Sequence, residues 1–445
     1  MYISKYNKRF FVGDEIIVLY NTITSAIDVA DRDILSESAL IDLQKSKDTE
    51  LLNYLTERGY LYPDQELEST HINKLYAGYQ RYKKEIRPLI FYIVLTYNCN
   101  LSCSYCFQNA SKKLNGTIDI CQIPVIFNAI EQICKRFPES QTKPVIALFG
   151  GEPLLKQNEN IIQAIFKEVA SRGWVNGPII SNGVSLDTYL PLFKTYRPSG
   201  IQVTIDGPKE IHDARRCFAN GKGTFDTIIK NINLAIDAGL KVGIRTNLDK
   251  TNIKFLSEIV ALVENQGWLE NKNVELSLSP VHDRACGSCN DIILHDSIFE
   301  HVIETMEILP QLSKWSLDGW SSLNHFRRLI LGEKAFLPRF EHCEASVGKS
   351  FHMDGYGMFY SCIEACGMPE FAAGRYTPEL EFFKLYDEML SRNVLNMTGC
   401  SECGYTMVCG GGCGFQALLD GKDILSPSCA NTDTTITRFI QHHYK

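Results

Sequence analysis

Between Leu89 and Pro280 short apolar runs alternate with longer amphipathic stretches. The runs are LIFYIVLT (Leu89–Thr96), VIALFG (Val145–Gly150), PIISNG (Pro178–Gly183), IQVTIDG (Ile201–Gly207), KVGIRTN (Lys241–Asn247) and VELSLSP (Val274–Pro280). Between them, Gln122–Phe137, Glu159–Gly173 and Thr224–Gly239 carry apolar residues at helical spacing. Repeated strand–helix alternation predicts an α/β fold with a parallel sheet, open or curled into a partial barrel. In such folds the chemistry gathers beyond the carboxyl ends of the strands. Every polar motif found in this region follows a strand.

The flanking segments read differently. RFFVGDEIIVLYN (Arg9–Asn21) and AIDVA (Ala26–Ala30) are strand-like around a Gly13-Asp14 turn. Ser36–Arg58 takes a helical pattern that ends at Gly59, and YLYP (Tyr60–Pro63) predicts a short strand. Thr70–Ile86 predicts a polar linking helix, and Phe299–Ile308 and Leu323–Leu331 predict two more. From Cys343 onward the chain is irregular and rich in Gly and Cys, a segment that needs bound metal to hold it together. The chain thus divides into residues 1–85, 86–310 and 311–445.

Composition narrows the function classes. Of 445 residues, 44% are hydrophobic and 22% charged, the balance of a globular protein with a buried core. A net charge of -7 argues against a general nucleic-acid binder. LIFYIVL (Leu89–Leu95) is far too short for a membrane span, and MYISKYNKRF lacks the apolar centre of a signal peptide, so the expectation is a cytoplasmic protein with no membrane partner. Sixteen cysteines are many for a reducing compartment, and their clustering points to metal rather than disulfides. Cys121, Cys134 and Cys217 stand alone and read as small buried hydrophobes.

CNLSCSYCFQ (Cys99–Gln108) places Cys99, Cys103 and Cys106 on the loop after the first strand. A cubane iron–sulfur cluster takes four thiolates and a zinc ribbon favours CxxC pairs, so three thiols at this spacing leave one iron free for another ligand. With Tyr105 before the third cysteine, the set resembles the CxxxCxxC signature of radical S-adenosylmethionine (SAM) enzymes. That resemblance implies a partial (β/α)6 TIM-like barrel and a [4Fe-4S] cluster on Cys99, Cys103 and Cys106. There the open iron chelates SAM, whose reductive cleavage gives a 5′-deoxyadenosyl radical that abstracts hydrogen from substrate.

Other motifs fit the same family. Gly150, Gly151, Glu152 and Pro153 resemble its GGEP motif, which binds the cofactor's ammonium, and the two glycines let backbone approach a ligand closely. Ser181 and Asn182 in ISNG, and Thr204 and Asp206 in TIDG, end the next two strands, where the resemblance implies contacts to the ribose and carboxylate of SAM. By the same resemblance Arg245 would pair with that carboxylate. Ordinary strand-end capping is the alternative for Thr204, Asp206 and Arg245. HDARR (His212–Arg216) reads either as substrate-facing or as a solvated helix start. Cys286 and Cys289 form a CxxC that is either redox-active or adventitious.

Further on, Cys343, Gly357-x4-Cys362, Cys400-x2-Cys403-x5-Cys409-x3-Cys413 and Cys429 match the SPASM pattern of radical SAM enzymes. The resemblance implies two auxiliary [4Fe-4S] clusters, three in all. Cys343, Cys362 and Cys413 would hold the first, and Cys400, Cys403, Cys409 and Cys429 the second. Some relatives carry one more cysteine soon after the first, where Ala345–Phe351 offers none. Cys366 either replaces it or leaves an open iron.

Since SPASM enzymes mostly modify peptides, the leading expectation is a ribosomal-peptide (RiPP) maturase that makes a thioether or carbon–carbon crosslink on a precursor with a leader. Residues 1–85 resemble the winged-helix-like, leader-recognising domain of such enzymes, which adds a peptide to a sheet edge. Flavodoxin or ferredoxin would donate the electron. A sulfatase-maturating enzyme that oxidises Cys or Ser to formylglycine is the alternative. Those enzymes carry Asp directly after the Gly-x4-Cys motif, where this chain has Ile363 and then Glu364. A non-catalytic electron carrier would explain the C-terminal cysteines but not the three-thiol loop.

Overall fold

The computed structural model describes residues 1–32, 48–109, 114, 116–282, 295–332, 338–429 and 432–444. The first part of the predicted helix from Ser36, and the Cys286/Cys289 pair, lie outside the described residues. By compactness the chain forms two units. One comprises residues 84–319 and 347–390, the other 1–83, 320–346 and 391–445.

In the first unit all six predicted strands form: β6 (Ile90–Val94), β7 (Val145–Phe149), β8 (Val175–Ile180), β9 (Ile201–Thr204), β10 (Val242–Leu248) and β11 (Val274–Pro280). They lie side by side in chain order, each parallel to the next, and Ser316–Leu317 (β12) extends the β11 edge. β13 (Ser350–Asp354) pairs in parallel with β6 on the other side. β14 (Met358–Tyr360), β15 (Gly374–Arg375) and β16 (Glu381–Phe382) continue that edge as antiparallel strands. The predicted helices appear as Ile123–Lys135, Glu159–Ser171 and Phe225–Asp237. Three more, Leu186–Tyr196, Lys209–Arg215 and Leu256–Asn265, complete the alternation. All but Lys209–Arg215 present Leu, Ile, Tyr or Phe inward, as in Ile162, Phe166, Tyr189, Phe193, Ile228 and Ile232.

The second unit carries the three-stranded meander β2 (Asn7–Val12), β3 (Ile16–Asn21) and β4 (Ile27–Asp31), whose first turn is the Gly13-Asp14 signal. β1 (Tyr2–Ile3) pairs with β5 (Leu61–Tyr62), and the helix Thr49–Glu57 ends before Gly59, whose φ of 79° favours glycine. The linking helix starts earlier than its pattern suggests, at Gln65, and runs to Glu85. Ile17, Leu19, Leu55, Tyr60 and Leu61 form one core cluster within the N-terminal residues. A second cluster joins Tyr6, Ile23, Ile72 and Tyr79 to Phe340, Val394, Met397, Cys400 and Met407. N-terminal and C-terminal segments, which the sequence divides, therefore share a core.

The lone cysteines depart from expectation. Cys121 is exposed, and Cys134 and Cys217 are only half-buried. Cys121 sits in the 3-10 turn Ile120–Gln122, which stands at the surface ahead of the buried helix face.

Candidate active site

A cavity of about 280 Å3 opens at the carboxyl ends of β6 to β11. In a flat sheet the ends of β6 and β11 would stand five strand spacings, about 24 Å, apart. One cavity touched by the ends of all six strands requires the sheet to curl, as a partial barrel does.

Its walls collect most of the predicted site residues. Cys99, Cys103, Tyr105 and Cys106 come from the loop after β6, Gly150, Gly151 and Glu152 from after β7, and Ser181 and Asn182 from after β8. Thr204 ends β9 and Arg245 lies in β10. Pro153 and Asp206 are the two that do not line it.

The glycines do something other than expected. Gly150 has φ 146°, and a Cβ there would run into the carbonyl oxygen of Thr96. A Cβ on Gly151 would strike the carbonyl oxygens of Asn98 and Tyr97. Gly151 N donates to Thr96 O at 2.7 Å and Glu152 N to Asn98 O at 2.9 Å. The pair thus lets the β7 loop lie directly on the backbone that leads into Cys99.

Glu152 carries that linkage onward. Its carboxylate accepts from Ser181 Oγ at 2.8 Å, Asn182 N at 2.6 Å and Leu154 N at 2.8 Å. Burial pushes its carboxyl up, while these donors work against that by favouring the anion. Asn182 in turn donates to Asn100 Oδ1 at 2.7 Å and approaches Cys99 Sγ at 3.9 Å. Three loops from three strands are therefore fastened around the first cysteine.

Asp206 is fully buried and occupied by protein groups. It accepts from the Tyr105 hydroxyl, from Asn247 N at 3.0 Å and from Arg215 Nε at 3.4 Å. Arg215 also donates to Asp249 at 2.6 Å, and although burial opposes its charge, Asp206 and Asp249 hold it as a cation. The strand-end alternative describes Asp206, which orients Tyr105 from behind the cavity wall. Arg245 reaches Asn247 Oδ1 at 3.0 Å and Ser279 Oγ at 2.6 Å while facing the cavity.

HDARR is neither solvated nor wholly at the cavity. His212 is buried between Asp206 N at 3.3 Å and Thr224 Oγ1 at 3.2 Å, and burial, then the Arg216 charge, pushes its imidazole down to about 4. Arg216 lines the cavity and donates to the Tyr105 hydroxyl at 2.8 Å. Gln202, Asn247 and Glu364 are lining residues the sequence reading missed. Period-two alternation puts Gln202 with Thr204 and Asn247 with Arg245, so two of the three were legible. Glu364 arrives from beyond β14, and the sequence reading met it only as a residue after the Gly-x4-Cys motif, with no place at the cavity.

The three thiols fit an iron–sulfur cluster. All are half-buried on one cavity wall with open space before them. Burial, then Glu152, pushes the Cys99 thiol up to about 12, so it needs a metal to become a thiolate. Among the described residues no three ligating side chains converge as a single metal ion requires. A cubane takes each thiolate at a different corner and makes no such demand.

The C-terminal cysteines sort into neighbours. Burial pushes the Cys400 thiol up to about 11, and Cys409, Cys403 and Cys429 act on it in the same direction. Burial, then Cys413, pushes the Cys343 thiol up. In the other unit Cys366 is buried beside Cys362, its Sγ 3.7 Å from Cys362 O.

Residues 93–262 match the radical SAM superfamily. The chain is 25% identical over 337 residues to a cysteine-type anaerobic sulfatase-maturating enzyme of Clostridium novyi (strain NT), covering 71% of this chain and 85% of that one. In fold it is similar to anSMEcpe with bound AdoMet, with a TM-score of 0.62 at 16% identity over 80% of this chain and 93% of that one. It is also similar to Streptococcus suis SuiB bound to the precursor peptide SuiA, with a TM-score of 0.54 at 13% identity over 95% and 97%. With its three thiols, its GGEP turn and its curled parallel sheet in one place, the chain carries a radical SAM domain over residues 93–262.

Proposed function

We propose that this enzyme is a peptide maturase that forms a thioether or carbon–carbon crosslink on a precursor peptide. The observation that carries the reading is the make-up of the cavity. Beside Cys99, Cys103, Cys106 and the Glu152 network, its lining includes Pro280, Val281, His282, Ile363 and Glu364. These last five, three of them apolar with one imidazole and one carboxylate, suit a substrate side chain rather than a cofactor's charged end. The fold likeness to SuiB includes the N-terminal residues, which supports a leader-recognising role for 1–85.

Cys99, Cys103 and Cys106 would hold the [4Fe-4S] cluster, and Gly150 to Glu152, Ser181, Asn182, Thr204 and Arg245 would line the SAM site. When bound, cluster and cofactor supply an electron and a 5′-deoxyadenosyl radical. The protein's part is positional. Glu152 keeps Ser181 and Asn182 turned toward the Cys99 loop, Asp206 and Arg216 fix the Tyr105 hydroxyl, and the apolar lining excludes water from a reactive site. Cys343, Cys362 and Cys413, joined or not by Cys366, and Cys400, Cys403, Cys409 and Cys429 would hold two auxiliary clusters. A flavodoxin or ferredoxin would supply the electron.

Formylglycine formation is the second reading, favoured by the identity to the sulfatase-maturating relative. The reconstituted full chain, given SAM, dithionite and a candidate precursor, should produce 5′-deoxyadenosine together with a peptide lighter by a hydrogen pair and resistant to thiol alkylation. An aldehyde that reacts with hydrazide on a sulfatase-type peptide instead would decide for the second reading. The Cys99/Cys103/Cys106→Ala triple variant should lose 5′-deoxyadenosine formation altogether. If it still cleaves SAM, the assignment of that loop is wrong.

A further inference from the structure

In the unit that holds Cys343, Cys400, Cys403, Cys409, Cys413 and Cys429, one buried cation stands out. Arg392 is 1% exposed, and among the described residues it has no carboxylate partner. Its guanidinium is spent on backbone carbonyls. Nη1 donates to Ile424 O and, at 2.8 Å, to Ser426 O, and Nη2 donates to Gly411 O at 3.0 Å and Gly412 O at 3.2 Å. Nε is buried with no partner.

Those carbonyls belong to the ligand loops. Gly410, Gly411 and Gly412, all at positive φ, bridge Cys409 to Cys413, and Ile424 to Ser426 lead toward Cys429. A Cβ on Gly412 would collide with Ser428 O, and one on Gly411 would sit 2.6 Å from Met397 Sδ. The glycines thus turn a row of carbonyls inward, and Arg392 gathers them. A desolvated guanidinium held only by neutral dipoles is costly unless an anion lies close. The carbonyls of Gly411 and Gly412 that it holds lie within three residues of Cys409 and Cys413 along the chain, groups that become anions on binding metal.

We propose that Arg392 is a positioning residue for the auxiliary clusters, fixing the Cys409–Cys413 and Cys429 loops and supplying the buried positive charge that their metal-bound thiolates neutralise. This rests on the reading of these cysteines as cluster ligands. Thiols alone leave the cation uncompensated, and thiolates alone repel one another, so each half of the site is stable only with the other. A nearby cation also favours the more negative, reduced form of a cluster and raises its potential.

The test uses the full chain reconstituted anaerobically as wild type, Arg392→Lys and Arg392→Gln, with iron and sulfide analysis and EPR-monitored redox titration of each. Arg392→Gln should either lose roughly four irons of about twelve or keep them with an auxiliary potential moved to more negative values. Arg392→Lys, which keeps the charge but not the four-carbonyl fork, should stay near the wild-type potential in whatever clusters it retains. The cluster on Cys99, Cys103 and Cys106 should be unchanged in both, with its EPR signal still perturbed by added SAM, which also shows that the variants fold. Wild-type iron and wild-type potentials in Arg392→Gln would overturn the role of Arg392 alone. About four irons in the wild type would overturn it together with the cluster reading beneath it.

Discussion

Two buried histidines show how much of the first unit depends on neutral side chains. His212 ties the β9 end to the helix Phe225–Asp237, and His352 stacks on Tyr92 at 4.7 Å with Nδ1 3.1 Å from Tyr360 O. Burial pushes each imidazole down to about 4. A folded-state value below the unfolded one means that the unfolded chain takes up the proton first as pH falls. Stability is therefore full above about 6.5 and is lost as pH drops toward about 4. Urea midpoints at pH 7 and pH 5 should fall clearly for the wild type and less for His352→Phe, which keeps the stacked ring without the titrating nitrogen. Equal losses in both would remove His352 from the account.

At the scale of elements, the GGE turn after β7 is a structural clasp. Gly150 and Gly151 let one loop rest on the backbone of another, and the cysteine loop has its position because of that contact. Gly150→Ala forces a Cβ against Thr96 O in a backbone region that disfavours side chains, and should cost about 2 kcal/mol or more. Because strain there shifts the Cys99 loop, SAM affinity measured by calorimetry on the reconstituted chain should fall at least tenfold. Unchanged affinity in a destabilised variant would mean that the clasp serves the fold without setting the site. The six strands and three of the helices around it, Ile123–Lys135, Glu159–Ser171 and Phe225–Asp237, were readable from periodicity because each strand is apolar and each of these helices shows one apolar face. The helix Lys209–Arg215 was not, since its buried residues are His212 and Arg215, polar groups paid for by Asp206, Asp249 and Thr224 rather than by packing.

At the scale of the molecule, the N-terminal residues share a core with the segment that carries Cys400. Tyr6, Ile72 and Tyr79 pack in one cluster with Met397, Cys400 and Met407, so removing residues 1–83 would strip one side of a ligand loop. The truncated chain should lose auxiliary iron as well as precursor binding, whereas a free-standing leader-binding module would cost only the binding. Iron analysis of the truncated and full chains separates the two, and full iron retention would restore the picture of an independent module.

What the sequence by itself determined is the chemistry and the repeating elements. Thiol spacing is a local property, because neighbours along the chain are neighbours around a cluster, and strand–helix alternation is a property of local burial. That is why Cys99, Cys103, Cys106, the GGEP turn and the six strands were all legible before any coordinates. Only the tertiary structure decided which polar groups face the cavity and which stand behind it. Asp206 and Arg245 follow adjacent strands with equal promise, yet Asp206 is consumed by Tyr105, Arg215 and Asn247 while Arg245 looks into the open space. The place of Glu364 at the cavity and the setting of Arg392 were invisible for the same reason. Their roles come from where sheet closure and loop folding bring them, and contacts between residues far apart in sequence leave no period in the chain to read.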